Sequence, residues 1–337
     1  MHEMPEASTR LYSSWPKGMV GDMVINLIGK FGNSWGAEHL IKAGFESLDH
    51  EVNPMDIKDS YGILRRVKSN ALTVVLQGYG LAPKLIESGR RVTKRPWILW
   101  HAEVMSPEWP TNDDVVVSKF NQLQQNAYAF DAIGHNCHCC LNTVRFAAEN
   151  MGASSRLGRQ VFWAPNNGVD PMVHRRIEGI AKKYAIGAYG YLSERRVELL
   201  RWLGSEGVHV EYRRPEEGCF GEELTRFINQ CHCILNFHYS ASPNTECRLY
   251  EAMGSGVPVI SEPISMPELF PDSHCGIMTF MSTDELLCYA KNVTEAAARY
   301  PLRLQSVGTA AMEYLHANAS YTQRCQNFIN QVRKHIG

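Results

Sequence analysis

Short apolar runs alternate with amphipathic stretches along most of the chain, and this order predicts strands and helices in turn rather than runs of one element. Residues 23–28, MVINLI, are an apolar run of strand length. The segment GKFGNSWG (29–36) follows, then an amphipathic helix over about 37–48 and a second strand beginning at Glu51 and Val52. Residues 73–76, 97–100 and 131–134 predict further buried strands, the last running into HNCHCC. Each is followed by glycine or polar residues, where parallel sheets place their sites. VFWAPNNGVD (161–170) reads as a strand entering a turn and marks a domain junction. A second series follows: strand 185–191, helix 192–204, strand 208–212, helix 222–230 and strand 231–238. From about Thr309 the pattern predicts one long helix packing back across both halves. The fold class is therefore α/β, with two doubly wound domains over 1–163 and 164–308 and a C-terminal helix over 309–337. No internal repeat or low-complexity segment interrupts the pattern.

Composition narrows the setting. With 44% hydrophobic and 20% charged residues the chain reads as globular rather than disordered. A net charge of −1 argues against a polycation directed at nucleic acid as a whole. No apolar run is long enough to span a membrane, and MHEMPEASTR lacks the basic start and apolar core of a signal peptide. Ten unevenly placed cysteines, several inside apparent core strands, suggest reduced thiols in a cytoplasmic protein. One segment departs from neutrality: residues 58–95 carry nine Lys and Arg against Asp59 and Glu87. Such a run forms either a solvated face or a groove for a phosphate-bearing acceptor such as DNA.

The densest chemistry lies in SASPNTECRLYEAMGSGVPVIS (240–261). Ser242 suits an N-cap and Pro243 the first helical position. Arg248 and Glu251, three residues apart, share a helical face. Gly254 stands where the helix stops, and VPVIS reads as a parallel strand. A helix N-terminus opened by small polar residues offers free N–H groups and a positive dipole end to an anion. A carboxylate one to two turns further on suits two sugar hydroxyls, so the segment reads as a binding element for a nucleoside diphosphate.

Other candidates sit at predicted strand ends. The glycines at 29, 32 and 36 do not match GxGxxG, so the loop is either a tight turn or substrate-facing. Its place after the first strand makes Gly32, Asn33, Ser34 and Trp35 candidates. WHAEV puts His101 and Glu103 just past a buried strand, as a structural histidine or as an acid–base pair. His135 and Asn136 end a neighbouring strand of the same sheet. Cys137, His138, Cys139 and Cys140 then follow in one short run, but adjacent ligands are not expected to converge on one ion, so no metal site is assigned. Cys231 and Cys233 read as small core hydrophobes. After the turn at Gly190, Arg195 and Arg196 open a helix, where they are either solvated or clamp a diphosphate.

Together these residues resemble a glycosyltransferase of the GT-B fold. VFWAPNNGVD is similar to the junction motif of the retaining GT-B families, and PNTECRLYEAMGSGVPVIS to their donor-binding Glu helix. The resemblance is nearest to the CgeB-like branch of the group 1 glycosyltransferases, which includes spore-maturation enzymes and bacteriophage relatives. That branch carries an Arg three residues before the Glu, matched by Arg248 and Glu251. It also has an Arg-containing glycine-strand motif, matched by GAYGYLSERR, and a C-terminal helix motif, matched by His316, Tyr321 and Arg324. The resemblance implies two Rossmann-like domains with the donor in the second. Glu251 then holds ribose hydroxyls, Asn244, Thr245 and His238 line the donor site, and Arg195 or Arg196 neutralises the diphosphate. Fixed positive charge would replace a metal, leaving a UDP-sugar as co-substrate and no cofactor. His101, Glu103 and the 29–36 loop would face acceptor and sugar. Many relatives carry a second Glu eight residues before the first; here Pro243 stands there, and Glu246 lies closer.

The expected activity is transfer of a hexose, glucose first, from a nucleoside-diphosphate sugar to an acceptor hydroxyl. The acceptor is either a hydroxymethylated pyrimidine in DNA or a cell-surface saccharide or protein. A sugar-nucleotide epimerase and a non-catalytic nucleotide-binding protein are the alternatives of another class.

Overall fold

The computed structural model describes residues 23–32, 36–149, 160–217, 219–239, 242–270 and 276–336. The first half builds a six-stranded sheet from β1 (Val24–Gly29), β2 (Glu51–Asp56), β3 (Leu72–Leu76), β4 (Trp97–His101), β5 (Ala132–His135) and β6 (Val161–Trp163). Their order is β2-β1-β3-β4-β5-β6 and every pairing is parallel. The crossovers are α1 (Ala37–Glu46), α2 (Ser60–Arg66), α3 (Pro83–Val92), α4 (Asp114–Asn126) and α5 (Leu141–Glu149). β3 and β4, LTVVL and WILWH, are buried along their whole length, as a parallel sheet covered on both faces requires. Alternate residues feed two cores. Ile28, Val75, Leu99 and Ile133 pack with Ile63, Ile86 and Phe120. Ile25, Leu27, Val74, Ile98 and Trp100 pack on the other face with Ile41, Phe45 and Phe328.

The second half repeats the plan with β7 (Tyr184–Tyr189), β8 (Glu211–Arg213), β9 (Cys231–Asn236), β10 (Val259–Ser261) and β11 (Ile277–Thr279), ordered β11-β10-β9-β7-β8 and again parallel. Its helices are α6 (Glu194–Ser205), α7 (Gly221–Gln230), α8 (Cys247–Gly254) and α9 (Thr283–Arg299). In both sheets the strand order reverses beside the first strand, and ligands of such folds bind outside the carboxyl ends of the strands at that point.

Two expectations are corrected. The C-terminal segment is two helices, α10 (Pro301–Asn318) and α11 (Tyr321–Ile336), not one. They part because Ser320 and Gln323 form a reciprocal cap: the Gln323 amide oxygen accepts from Ser320 N–H at 2.8 Å, and Ser320 Oγ accepts from Gln323 N–H at 3.2 Å. α8 begins at Cys247, four residues past Pro243, with extended Glu246 as its N-cap, because the Thr245 hydroxyl is tied to Ser265 and Met266 instead of entering a helix. α8 stops at Gly254, as the sequence predicts, and Gly256 two residues on takes the left-handed region (φ 75°).

α11 returns to the first sheet. Phe328 stacks on Trp100 with ring centroids 4.2 Å apart, and Cys325 Sγ donates to the Ile41 carbonyl at 3.4 Å. Arg324 Nε donates to Asn167 O at 2.9 Å, and its guanidinium lies 5.7 Å from the Tyr250 ring centre. Val169 and Ser320 pair as an isolated parallel bridge. α10 lies against the loop after α8 so closely that a Cβ on Gly308 would stand 2.1 Å from the Gly256 carbonyl oxygen. Gly308→Ala is therefore expected to destabilise by roughly 1–3 kcal/mol, despite the gain in helix propensity, because the obstacle is backbone. A lowered urea midpoint with unchanged slope is the expected readout.

Candidate active site

A cleft of about 1160 Å³ opens between the carboxyl ends of the two sheets. Its second-half wall begins where β7 ends. Gly190 turns there with φ 117°, and a Cβ on it would meet Arg248 Nη1 at 2.8 Å, so glycine is needed both for the turn and for the guanidinium behind it. Tyr189 Oη donates to Glu251 Oε2 at 2.8 Å. Burial raises the Glu251 pKa, opposed by that hydrogen bond and by the charge of Arg248. Arg248 Nε donates to Asn236 Oδ1 at 2.9 Å, Nη2 donates to Phe237 O at 3.0 Å, and the guanidinium pairs with Glu246. Burial pushes Arg248 down to about 10, still cationic at neutral pH.

Arg196 enters the same wall from the first turn of α6, where Ser193 caps the helix. Its Nη1 and Nη2 donate to Tyr191 O and Phe237 O, both at 2.6 Å, and its guanidinium lies 3.8 Å from Glu246. Two buried guanidiniums thus border the cleft with Glu246 between them. Arg195, one residue earlier, is turned onto Glu262 and does not line the cleft. His238 is also withdrawn: Nε2 donates to Pro263 O at 2.7 Å and Nδ1 lies 3.2 Å from Glu246. Burial lowers its pKa. Asn244 lines the cleft, whereas the Thr245 hydroxyl points to Ser265 and Met266.

On the first-half wall, Glu103 lines the cleft and pairs with Lys119 at 3.2 Å. His101 does not line it. The imidazole is fully buried, with Nδ1 3.0 Å from Nδ1 of His135, its neighbour in the β4–β5 register. Burial holds both histidines neutral, lowering His135 to about 4 and His101 well below its ordinary value. Asn136 ties strand ends together through Nδ2 to Ala102 O at 3.0 Å. Gly32 N–H donates to Asp56 Oδ2 at 2.8 Å, and Asn33, Ser34 and Trp35 lie outside the described residues.

The cleft also contains residues that the sequence did not single out. Glu38, in the first turn of α1, is 7% exposed and accepts from Lys30 N–H at 3.3 Å. A carboxylate just past a glycine-bounded loop was the available signal. Gln77 follows β3 in the left-handed region (φ 53°), and Gln77 Oε1 and Asn166 Oδ1 are buried with no protein hydrogen-bond partner among the described residues. A strained glutamine at a strand end leaves no mark in a single sequence.

Two further expectations meet the geometry differently. None of the nine cations of 58–95 lines the cleft, and Arg66, Lys68 and Arg90 are paired with Asp59, Glu51 and Asp131. The sulfurs of Cys137, Cys139 and Cys140 do converge, lying within 4.8 Å of one another. A 3₁₀ turn over His138–Cys140 brings residues three apart into line, which extended spacing would not.

Residues 195–330 match a family model described as glycosyl transferase-like. No curated protein matches the sequence. Among solved structures, Alr3699/HepE from Anabaena in complex with UDP-glucose is 13% identical, with a TM-score of 0.58 over 93% of this chain and 100% of that one. Sucrose-phosphate synthase from Thermosynechococcus elongatus is 10% identical, with a TM-score of 0.61 over 93% of this chain and 98% of that one. OtsA in its apo form is 11% identical, with a TM-score of 0.58 over 94% and 100%. At such identities the likeness is one of fold. The chain is a GT-B-fold protein whose residues 195–330, holding Arg196, Arg248 and Glu251, match the glycosyl transferase-like family.

Proposed function

We propose that the protein is a glycosyltransferase that moves a hexose from a UDP-sugar to an acceptor hydroxyl in this cleft. The observation that carries the reading is the placing of Glu251 beside two buried guanidiniums, Arg196 and Arg248, at the switch point of the second sheet. Glu251, oriented by Tyr189, accepts the two ribose hydroxyls of the nucleotide. Arg196 and Arg248 border the diphosphate and stabilise the charge that grows on it as the sugar leaves, which removes the need for a metal. The α8 N-terminus and Asn244 border the same space. Glucose is the first sugar to try, since Alr3699/HepE was crystallised with UDP and glucose.

On the acceptor side Glu103, paired with Lys119, is the carboxylate best placed to take the hydroxyl proton, and Glu38 lines the same cleft. His101 supports the strand ends from behind. Two carboxylates against one lysine, with the amides of Gln77 and Asn166, suit a neutral saccharide hydroxyl better than the phosphates of DNA. No helix among the described residues is long and apolar enough to cross a membrane.

Thermal unfolding with UDP, GDP, ADP, CDP and their glucose conjugates, in EDTA, tests this. A ligand that binds only the folded state at about 100 times its Kd adds roughly 2.7 kcal/mol, so uridine nucleotides should raise the midpoint by several degrees. Release of UDP from UDP-glucose should then respond to neutral saccharides and not to hydroxymethylated DNA. Absence of any nucleotide shift would overturn the donor assignment.

A further inference from the structure

The segment that leaves β5 reads HNCHCC, and the cleft makes no use of its thiols. Cys137 precedes the 3₁₀ turn His138–Cys140, which runs directly into α5. The turn gathers three sulfurs: Cys137 and Cys139 stand 2.8 Å apart, Cys139 and Cys140 3.7 Å apart, and all three lie within 4.8 Å of one another. Cys137 and Cys140 are 5% and 2% exposed, and Cys139 is half-buried, so an opening to solvent remains on one side. Three metal–sulfur bonds of about 2.3 Å set sulfurs a little under ~4 Å apart, close to the Cys139–Cys140 spacing.

The surroundings fit a site that braces two parts of the molecule. Met266, from the loop after β10, packs in the same apolar cluster as Cys137 and Cys140. Beside them His138 Nδ1 lies 3.1 Å from Glu268. The first sheet and the second therefore meet at the cysteines. All-thiolate donors favour soft ions over Mg²⁺ or Ca²⁺.

We propose that Cys137, Cys139 and Cys140 bind one thiophilic d¹⁰ cation, Zn²⁺ or Cu⁺, at the contact between the two halves of the protein. Three thiols give up their protons to solvent as three sulfur–metal bonds form, so no oxidant or reductant is needed. The site is distinct from the donor cleft, and its existence does not depend on the sugar-transfer reading.

The test uses the full chain, reduced and stripped of metal, with Cd²⁺ as probe. Sulfur-to-cadmium charge-transfer absorption should grow and saturate at one equivalent. Separate competition arms with Zn²⁺ and with Cu⁺ identify the preferred ion. Zn²⁺ or Cu⁺ should raise the thermal midpoint and shield Cys137, Cys139 and Cys140 from alkylation, mapped by mass spectrometry on the unmutated protein. Cys139→Ser should weaken Cd²⁺ binding at least tenfold, whereas Cys288→Ser should leave it unchanged. Should Cys139→Ser fail to fold, the alkylation map alone decides. No absorption band, a band that survives Cys139→Ser, thiols equally reactive with and without metal, or a Cys137–Cys139 disulfide in freshly isolated protein would each overturn the assignment.

Discussion

Glu251→Ala is expected to lower nucleotide-sugar affinity at least 100-fold and to bring turnover near background, while the protein stays folded. A carboxylate that accepts two hydroxyls makes two charge-assisted hydrogen bonds, each worth about 1.5–3 kcal/mol, so losing both removes roughly 3–6 kcal/mol of binding. The loss should exceed that of Asn244→Ala, which deletes a neutral group. Tyr189 is the internal control. Its hydroxyl donates to Glu251 at 2.8 Å, so Tyr189→Phe should weaken binding modestly by freeing the carboxylate without deleting it. The raised pKa of Glu251 adds a second signature, because affinity falls as pH drops through that raised value and the carboxylate takes up a proton. Isothermal titration with UDP at pH 8 and pH 5.5 measures both effects. Unchanged affinity in Glu251→Ala would remove the donor site from α8.

Acid should destabilise the fold through its buried histidines. His174 is buried, with its pKa lowered to about 4, and burial, with the charges of His135 and Lys119, also holds His101 well below its ordinary value. In the unfolded chain both titrate near 6.5, so between that pH and 4 the unfolded state binds protons that the folded state refuses. Their contribution to stability is complete above about pH 6.5 and is lost as pH falls toward 4. At 1.36 kcal/mol per pKa unit, His174 alone accounts for about 3 kcal/mol, with His101 acting in the same direction. Urea midpoints at pH 7.5, 6.5 and 5 should fall steadily, and His174→Gln should flatten the lower part of the curve. A midpoint constant from pH 7.5 to 5 would contradict the burial of neutral imidazoles.

The strands were legible because parallel strands covered on both faces must be apolar along their length, and LTVVL or WILWH admits few other readings. The pairing of Arg248 with Glu251 was legible because a spacing of three fixes a shared helical face. Other features depended on contacts distant in sequence. Ser242 and Pro243 look like a helix start, yet Ser265 and Met266 hold the Thr245 hydroxyl and the helix begins only at Cys247. Adjacent arginines on a helix point about 100° apart, so Arg195 and Arg196 have different fates that depend on where Glu262 lies. His101 ends a strand and Glu103 lies beyond it, and only the fold shows that one faces the core and the other the cleft. The Ser320–Gln323 cap was visible in the sequence, but the apolar pattern running through it hid the break. Gln77 and the gathering of the cysteine sulfurs arise from local backbone angles that composition does not report.

The bridge between Val169 and Ser320 has a mechanical consequence. The chain passes from one half to the other at two adjacent points, once in the linker before Val169 and once between α10 and α11. Two chain segments joined at one bridge act as a strap hinge, bending more readily across their width than they twist or slide. Opening and closing should follow a single axis through Val169 and Ser320, so that Glu103 and Glu251 approach along a fixed arc. The Asp113 carboxylate, which accepts from Ser242 Oγ at 2.7 Å, is a catch between the two halves.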